Sequence, residues 1–270
     1  MHCHPSQLRH IMPAPRPAPI GNLLLRSLDT GDLAYIKPHL EPVALNEGHV
    51  IVAQDEPITF VCFPECGVTS VGDVQADGSR VEIALIGRDG MTNSQLLLGC
   101  HLAPHEAVVQ IGNGRSLRLS AAMLSTFCRE RPNAQAVFLR YIHALSVQTA
   151  RTLASNLRDG AEKRLARWLL MCHDRIDGDE ICLMHEQIGR MLGVRRATVT
   201  DTLHLLEGRR AIGNTRGRIV IRDRQVLEDL AGDSYGFAEA HYRRLIGPFG
   251  RTGQDRPPVR PGETVSPLPR

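Results

Sequence analysis

Residues 185–218 read HEQIGRMLGVRRATVTDTLHLLEGRRAIGNTRGR, and this stretch decides the fold of the C-terminal part of the chain. Ile188, Met191 and Leu192 recur at the spacing of three and four residues that is typical of an amphipathic helix. Gly193 follows at once, and glycine suits the left-handed backbone that ends a helix and turns the chain sharply. The pattern therefore predicts a short helix followed by a tight turn.

A second helix is predicted from about residue 196 to residue 207. Val199, Leu203 and Leu206 lie at spacings that place them together on a core-facing side. The opposite side carries short or polar side chains, namely Arg196, Ala197, Thr200, Asp201 and His204. After this helix, residues 212–221 alternate in strand fashion around an Arg-Gly-Arg turn. The stretch thus has the layout of a winged helix-turn-helix.

This layout points to DNA, because the first residues of the second helix of such a unit meet base edges in the major groove. An arginine there can hold guanine O6 and N7 with two hydrogen bonds, which makes Arg196 the candidate for base reading. Arg195 is placed for a phosphate or a base, and the wing arginines for phosphates. The candidate DNA-binding residues are His185, Arg195, Arg196, Ala197, Thr198, Thr200, Asp201, Arg216 and Arg218.

The distribution of charge supports this interpretation. Residues 185–224 hold nine arginines and four acidic residues, although the whole chain of 270 residues carries only +3. The basic half of the chain, 151–270, has a net charge of +5 and the first 150 residues have −2. Such a local excess is the electrostatic footprint of a nucleic-acid partner. A solvated, arginine-rich face on an ordinary helical domain is the alternative explanation.

Hydropathy and cysteine content indicate the cellular compartment. No run of residues reaches the roughly 18 apolar residues of a membrane span, and the N-terminus is rich in proline instead of carrying a signal-peptide core. The seven cysteines are scattered and odd in number. We therefore expect reduced thiols and a cytoplasmic protein without membrane contact.

The N-terminal half has the pattern of a β-rich domain. Short β-like runs separated by Gly, Asp, Asn and Pro are typical of a sandwich or roll, and they occupy 49–53, 59–63, 68–71, 81–86, 107–111 and 116–119. Residues 1–22 are proline-rich, and we expect them to form a disordered leader. Residues 247–270 are also proline-rich, and we expect them to form a disordered tail. We expect an α+β chain with three ordered parts: a β-roll of the double-stranded β-helix or jelly-roll type at 23–130, a connecting helix at 131–158, and the winged helix-turn-helix domain at 159–246.

The connecting helix is predicted to be long, from about 133 to 157. Its apolar and small residues recur every three or four positions in a near-heptad seam formed by Leu139, Ile142, Ser146, Ala150, Leu153 and Leu157. A helix of this length, roughly 37 Å at 1.5 Å per residue, commonly pairs with its twin. A homodimer is therefore expected, and packing against the roll alone is the alternative.

The order of roll, long helix and winged helix-turn-helix resembles the Crp/Fnr family of bacterial transcription regulators. The resemblance extends over about 23–245 and is carried by HEQIGRMLGVRRATVTDTLHLLE, RGRIVI, FPECGVTSV, ADGSRVEIALIGRDGM and PHEAVVQ. It implies a cyclic-nucleotide-binding-like roll as sensor or vestigial sensor. The two-fold symmetry of the expected dimer predicts a pseudo-palindromic operator. Because the sequence has no HExxH or Walker motif, we expect no enzyme activity. The resemblance leaves RNA polymerase open as a further partner.

The effector positions depart from the nucleotide-binding members of that family. Those members have a Gly-Glu pair that meets the ribose hydroxyl and, about ten residues later, an arginine that meets the cyclic phosphate. This chain has Asp89, Gly90 and Met91 at the first place and His105 and Glu106 near the second. Because methionine accepts no ribose hydrogen bond and glutamate repels a phosphate, the resemblance implies a signal other than a cyclic nucleotide. The second helix departs too, since Ala197 and Asp201 replace residues that are commonly Glu and Arg.

Other groups of residues leave alternatives open. His2, Cys3 and His4 could bind a soft metal, but Cys3 alone cannot supply the cysteine cluster of iron–sulfur members. Cys62 and Cys66 could form a redox pair or be ordinary core and turn residues. We expect no metal and no cofactor. A redox- or ligand-sensing module that acts through protein partners, with weak DNA binding, is the rival to a DNA-reading regulator.

Overall fold

The computed structural model describes residues 19–112 and 114–251. Predictions for 1–18, including the His2–His4 group, and for 252–270 lie outside these residues. Within them, no helix is long and apolar enough to cross a membrane.

The N-terminal half is an antiparallel β-roll of two sheets, close to the predicted strands. Its strands are β1 (Glu41–Leu45), β2 (Val50–Val52), β3 (Phe60–Pro64), β4 (Val68–Val74), β5 (Arg80–Ile86), β6 (Glu106–Ile111) and β7 (Gly114–Ser120). They pair in the orders β1-β7-β3 and β2-β6-β4-β5. At the turn between β3 and β4, Gly67 has φ +82°, and a Cβ there would lie 2.6 Å from the Ile111 carbonyl oxygen. Only glycine fits this turn.

Helices precede and follow the roll in the sequence. Before it lie α1 (Leu23–Arg26) and α2 (Thr30–Ile36), and after it come α3 (Ala121–Glu130) and the long helix α4 (Pro132–Arg158). Side chains cap three of them, because Asn22, Asp29 and Ser120 each accept a hydrogen bond from a backbone N–H in the first turn of the helix that follows. Pro132 at the start of α4 occupies a position where its missing N–H is not needed.

The C-terminal half contains the predicted helix-turn-helix and wing. It consists of α5 (Ala161–His173), β8 (Glu180–Ile181), α6 (His185–Leu192), α7 (Arg196–Gly208), β9 (Ile212–Thr215), β10 (Arg218–Ile221), α8 (Arg224–Ala231) and α9 (Phe237–Leu245). The three strands form one sheet in the order β8-β10-β9. The hydrophobic core of the C-terminal half also includes Val68, Leu85 and Ile111 of the roll. The two halves therefore share buried apolar surface.

Two predicted boundaries differ from the structure. The leader was expected to reach residue 22, but Asn22 is fully buried and its side-chain amide donates to the Pro64 and Gly90 carbonyls, both at 2.8 Å. The tail was expected to begin at residue 247, but Phe249 is only 6 % exposed and packs on Tyr242. Both boundaries were predicted from proline content, which does not indicate tertiary contacts. Asn22 is held by residues more than 40 positions away, and Phe249 is held by the buried ring of Tyr242.

Polar contacts buried between the halves join the roll to the helix-turn-helix domain. The Asp89 carboxylate accepts two hydrogen bonds from the Arg175 guanidinium, at 3.0 and 2.6 Å. The indole of Trp168 on α5 donates to Glu82 on β5 at 2.9 Å, and Ser70 donates to the other Glu82 oxygen at 2.6 Å. Burial raises the pKa of Glu82 to about 7, although the Ser70 and Trp168 hydrogen bonds act in the opposite direction.

The variant Glu82→Gln tests this buried carboxylate. The pKa of Glu82 is above its ordinary 4.5 in the folded state, so the folded protein binds more protons and its free energy of unfolding falls as the pH rises from 4.5 to about 7. The neutral amide has no such dependence. We expect the variant to gain on the order of 3 kcal/mol relative to the parent across this range, measured by urea denaturation at several pH values. If the difference in free energy of unfolding between variant and parent did not change with pH, the raised pKa of Glu82 would be contradicted.

Candidate nucleic-acid interface

The two helices of the helix-turn-helix are held by the apolar faces that the sequence predicts. Ile188 on α6 and Val199 and Leu203 on α7 are at most 1 % exposed. Gly193 ends α6 with φ +62°, as expected for a glycine that closes a helix. Gly189 allows the close approach of the turn, since a Cβ there would lie 2.9 Å from the Val194 carbonyl oxygen. The local sequence thus determines the angle at which α7 leaves α6.

The outer face of α7 is open to solvent. Arg195, Arg196, Ala197 and Asp201 are exposed, and Thr198 and Thr200 are half-buried. No side chain caps the first turn of α7, so its backbone N–H groups are free to meet a phosphate. The predicted reading residues therefore lie on one accessible surface.

His185 is joined to this face by a hydrogen-bonded chain. The Thr200 hydroxyl donates to the Arg196 carbonyl at 3.1 Å, and its oxygen lies 3.0 Å from Nδ1 of His185. Since the hydroxyl proton is already used, Nδ1 of His185 must carry the proton and donate to Thr200. In this tautomer Nε2 is the acceptor nitrogen of the ring.

The wing is the hairpin of β9 and β10, and Gly217 with φ +73° forms its turn. Arg216 is exposed at the tip. Arg218 instead forms an ion pair with Glu180 of the neighbouring strand β8. The guanidinium of Arg218 therefore has to leave or share this carboxylate to bind a phosphate, which sequence reasoning did not anticipate.

The predicted effector residues have different partners in the structure. Met91 is fully buried in the core of the roll, and Asp89 faces Arg175. A Cβ on Gly90 would collide with the Tyr141 side chain of α4. His105 lies 3.5 Å from Asp73, in a different part of the roll.

Glu106 has a cationic neighbour that sequence reasoning missed. Nε of Arg80 on β5 lies 3.0 Å from the Glu106 carboxylate, and Nη1 donates to Ser70 at 2.9 Å. A cation is therefore present near the second effector position, although no arginine or lysine adjoins Glu106 in the sequence. Its charge is balanced by Glu106, so it is not free for a phosphate.

The predicted dimer seam forms an open stripe along α4. Leu139, Leu153 and Leu157 are 40, 60 and 79 % exposed, while Ser146 and Ala150 are exposed and Ile142 is half-buried. The opposite face of α4 is buried against the roll and α9, as Phe138, Tyr141 and Gln148 show. The helix thus packs on the roll and still leaves its near-heptad stripe uncovered within one chain.

Thiol and metal chemistry receives little support from the geometry. Burial raises the pKa of the Cys62 thiol to about 11, which disfavours the reactive thiolate. Cys66 is half-buried, and its sulfur accepts the Arg115 N–H at 3.3 Å. In the part of the chain that the structure describes, no three His, Cys, Asp or Glu residues are grouped to hold a metal ion.

Comparison with known proteins identifies the C-terminal domain. The sequence profile of the Crp-like helix-turn-helix domain matches residues 163–230, which contain α6, α7 and the wing. The chain therefore contains a Crp-like helix-turn-helix domain, the DNA-binding unit that the sequence predicts. The resemblance predicted from the sequence is confirmed. Among curated proteins, no sequence matches this chain.

Solved structures show the same fold over both halves of the chain. A CRP-family transcriptional regulator of Thermus thermophilus superposes with a TM-score of 0.58 at 18 % identity, over 72 % of this chain and 97 % of the other. FixK2 of Bradyrhizobium japonicum gives 0.56 at 21 %, over 72 % and 98 %. CLP of Xanthomonas campestris, a c-di-GMP-responsive global regulator, gives 0.57 at 12 %, over 72 % and 99 %. The predicted fold class is confirmed.

Proposed function

We propose that the protein is a homodimeric regulator that reads a pseudo-palindromic operator with α7 and responds through its roll to a signal other than a cyclic nucleotide. The observation that carries the proposal is the exposed face of α7, with Arg196 in its first turn and the half-buried His185–Thr200 pair beside it. A two-fold dimer would place the two copies of this face about one helical turn of DNA apart.

The open stripe on α4 supports the dimer. Three leucines at least 40 % exposed lie along it with the spacing that coiled-coil partners use. Contiguous apolar surface of this kind marks an interaction site, and a second copy of α4 presents a matching stripe.

The departures at the effector positions support a different signal. The side chain of Met91 is buried, that of Asp89 is held by Arg175, and Arg80 is held by Glu106. A cyclic nucleotide needs an acceptor for its ribose and a free cation for its phosphate, and these side chains offer neither. Addition of cyclic AMP or cyclic GMP should therefore leave DNA affinity unchanged.

Selection of bound duplexes from a random DNA pool tests the proposal, run with and without oxidant. We expect a two-fold repeated sequence to be enriched under reducing conditions. A pool without sequence enrichment would contradict the proposal and favour a sensing module that acts through protein partners. A sequence preference that changes with oxidant would identify the thiols as part of the signal.

The variant Arg196→Ala tests the reading helix. We expect it to lose about 1–3 kcal/mol of binding free energy for the selected duplex and to relax preference at one base position in each half-site. Fluorescence anisotropy with duplexes altered one base pair at a time measures both effects. Arg209→Ala is the matched control, because Arg209 follows the other end of α7 and pairs with Glu162 at 3.0 Å. Equal losses in the two variants would remove Arg196 from its reading role.

A further inference from the structure

The segment after α8, residues 232–251, returns to the middle of the molecule. It lies beyond the matched domain, which ends at residue 230. Its helix α9 packs on α4, and Tyr242 of α9 is 4 % exposed in the core that includes Tyr141 and Ala144. This segment is therefore part of the folded structure.

The segment contacts the roll through Tyr242. The phenolic hydroxyl of Tyr242 donates to the Asp89 backbone carbonyl at 2.6 Å. Asp89 is the residue whose side chain holds Arg175. One loop of the roll thus meets both the C-terminal segment and the helix-turn-helix domain.

The end of the segment contacts the loop that joins α5 to β8. The Phe249 ring lies 4.9 Å from the Tyr242 ring and 5.0 Å from the Arg175 guanidinium carbon. The Arg251 side chain donates to the Asp179 carboxylate at 2.8 Å and to the Ile176 carbonyl at 3.0 Å. These contacts reach the loop 174–179, which leads through β8 into α6.

Asp174, at the start of the loop 174–179, forms further contacts with α8 and with the segment 232–251. Its carboxylate accepts hydrogen bonds from Arg224 at 2.8 Å and from the Tyr235 hydroxyl at 2.6 Å. The Arg251 backbone N–H also approaches it at 3.3 Å. The side chain of Asp174 is fully buried, so the loop is held from both sides.

We infer that residues 232–251 form a clamp that fixes the orientation of the helix-turn-helix domain relative to the roll and α4, and that this clamp increases affinity for operators with two half-sites. The inference rests on the proposed function. Two reading domains held at a fixed spacing lose less orientational freedom on binding than two loosely attached ones. Arg196 and Asp201 stay exposed in the clamped arrangement, so the clamp does not mask the reading face.

The test is the double variant Phe249→Ala/Arg251→Ala in the full chain. It removes the ring and the guanidinium that hold the loop 174–179, while Tyr242 and α9 stay. The control is Arg244→Ala, which removes an arginine from the same segment whose side chain contacts His241 of the same helix.

Two duplexes serve as probes, the selected two-fold operator and the same duplex with one half-site scrambled. We expect the test variant to bind the full operator about tenfold more weakly and the half-site duplex within twofold of the parent, and the control variant to match the parent on both. Unchanged affinity for the full operator would overturn the clamp. Equal losses on both duplexes would also overturn it, because they would place the defect in the reading unit.

Amide hydrogen exchange gives a readout that does not need DNA. We expect faster exchange in the loop 174–179 and around Asp89 in the test variant, with α7 unchanged. Protection equal to that of the parent would overturn the clamp even if DNA binding changed. A parent protein that selects no sequence would refute the proposed function, and the exchange result would then still decide whether the clamp exists.

Discussion

Asp89→Ala is expected to lower the free energy of unfolding by about 3–5 kcal/mol, because it leaves the Arg175 guanidinium buried without its carboxylate. The side chains of Asp89 and Arg175 are 5 and 1 % exposed, and two hydrogen bonds of 3.0 and 2.6 Å join them. Because the Arg175 side chain is only 1 % exposed, little bulk water is available to replace the lost partner. A buried charge left in this way is among the largest single-site effects known in protein stability.

Urea denaturation measures the effect, with Trp168 as the reporter. It is the only tryptophan in the chain and is 4 % exposed at the junction of the two halves. The double variant Asp89→Leu/Arg175→Met is the control, since replacing a buried ion pair by apolar groups of similar volume is often nearly neutral. We expect it to recover most of the loss. A loss below about 1 kcal/mol in Asp89→Ala would contradict the role of the pair.

Leu153→Glu is expected to separate the proposed dimer and to weaken binding of the full operator about 100-fold or more, because the second reading domain is no longer tethered to the first. Leu153 is 60 % exposed near the C-terminal end of the α4 stripe. In a dimer the new carboxylate would face its own copy across the two-fold axis. The monomer itself should stay folded, since Leu153 packs little within one chain.

Sedimentation velocity at micromolar concentration measures the association, and anisotropy measures the binding. Asn133→Glu is the control, because Asn133 is exposed at the start of the same helix and lies off the stripe. It should remain dimeric and bind as the parent does. A dimeric Leu153→Glu variant would refute the seam, and a monomeric parent would refute the homodimer itself.

The reading helix and the strands could be predicted from the sequence because they depend on short-range patterns. The spacing of Ile188, Val199 and Leu203 and the glycine at 193 describe α6, the turn and α7 almost to the residue. The alternation in the roll located six of its seven strands. The remaining strand, β1, carries Pro42 on the outer edge of a three-stranded sheet, so its local pattern is weak.

The exposure of the site residues could be predicted from the sequence, but their ion-pair partners could not. Arg196 and Ala197 are exposed as expected, but Arg218 is paired with Glu180 and Arg80 stands beside Glu106. These pairs join residues 38 and 26 positions apart. Local periodicity contains no information on which acid a given arginine will meet.

The sequence by itself determined the order of the parts, the helix-turn-helix and the open stripe of α4, because hydrophobic periodicity and turn glycines act within a few residues. Only the tertiary structure decided how the parts are joined. Asp89 and Arg175, Glu82 and Trp168, and Tyr242 and the Asp89 carbonyl meet across 86 to 153 positions. A buried polar group is stable only where a partner is packed against it, and which partner that is depends on the packing of the whole chain.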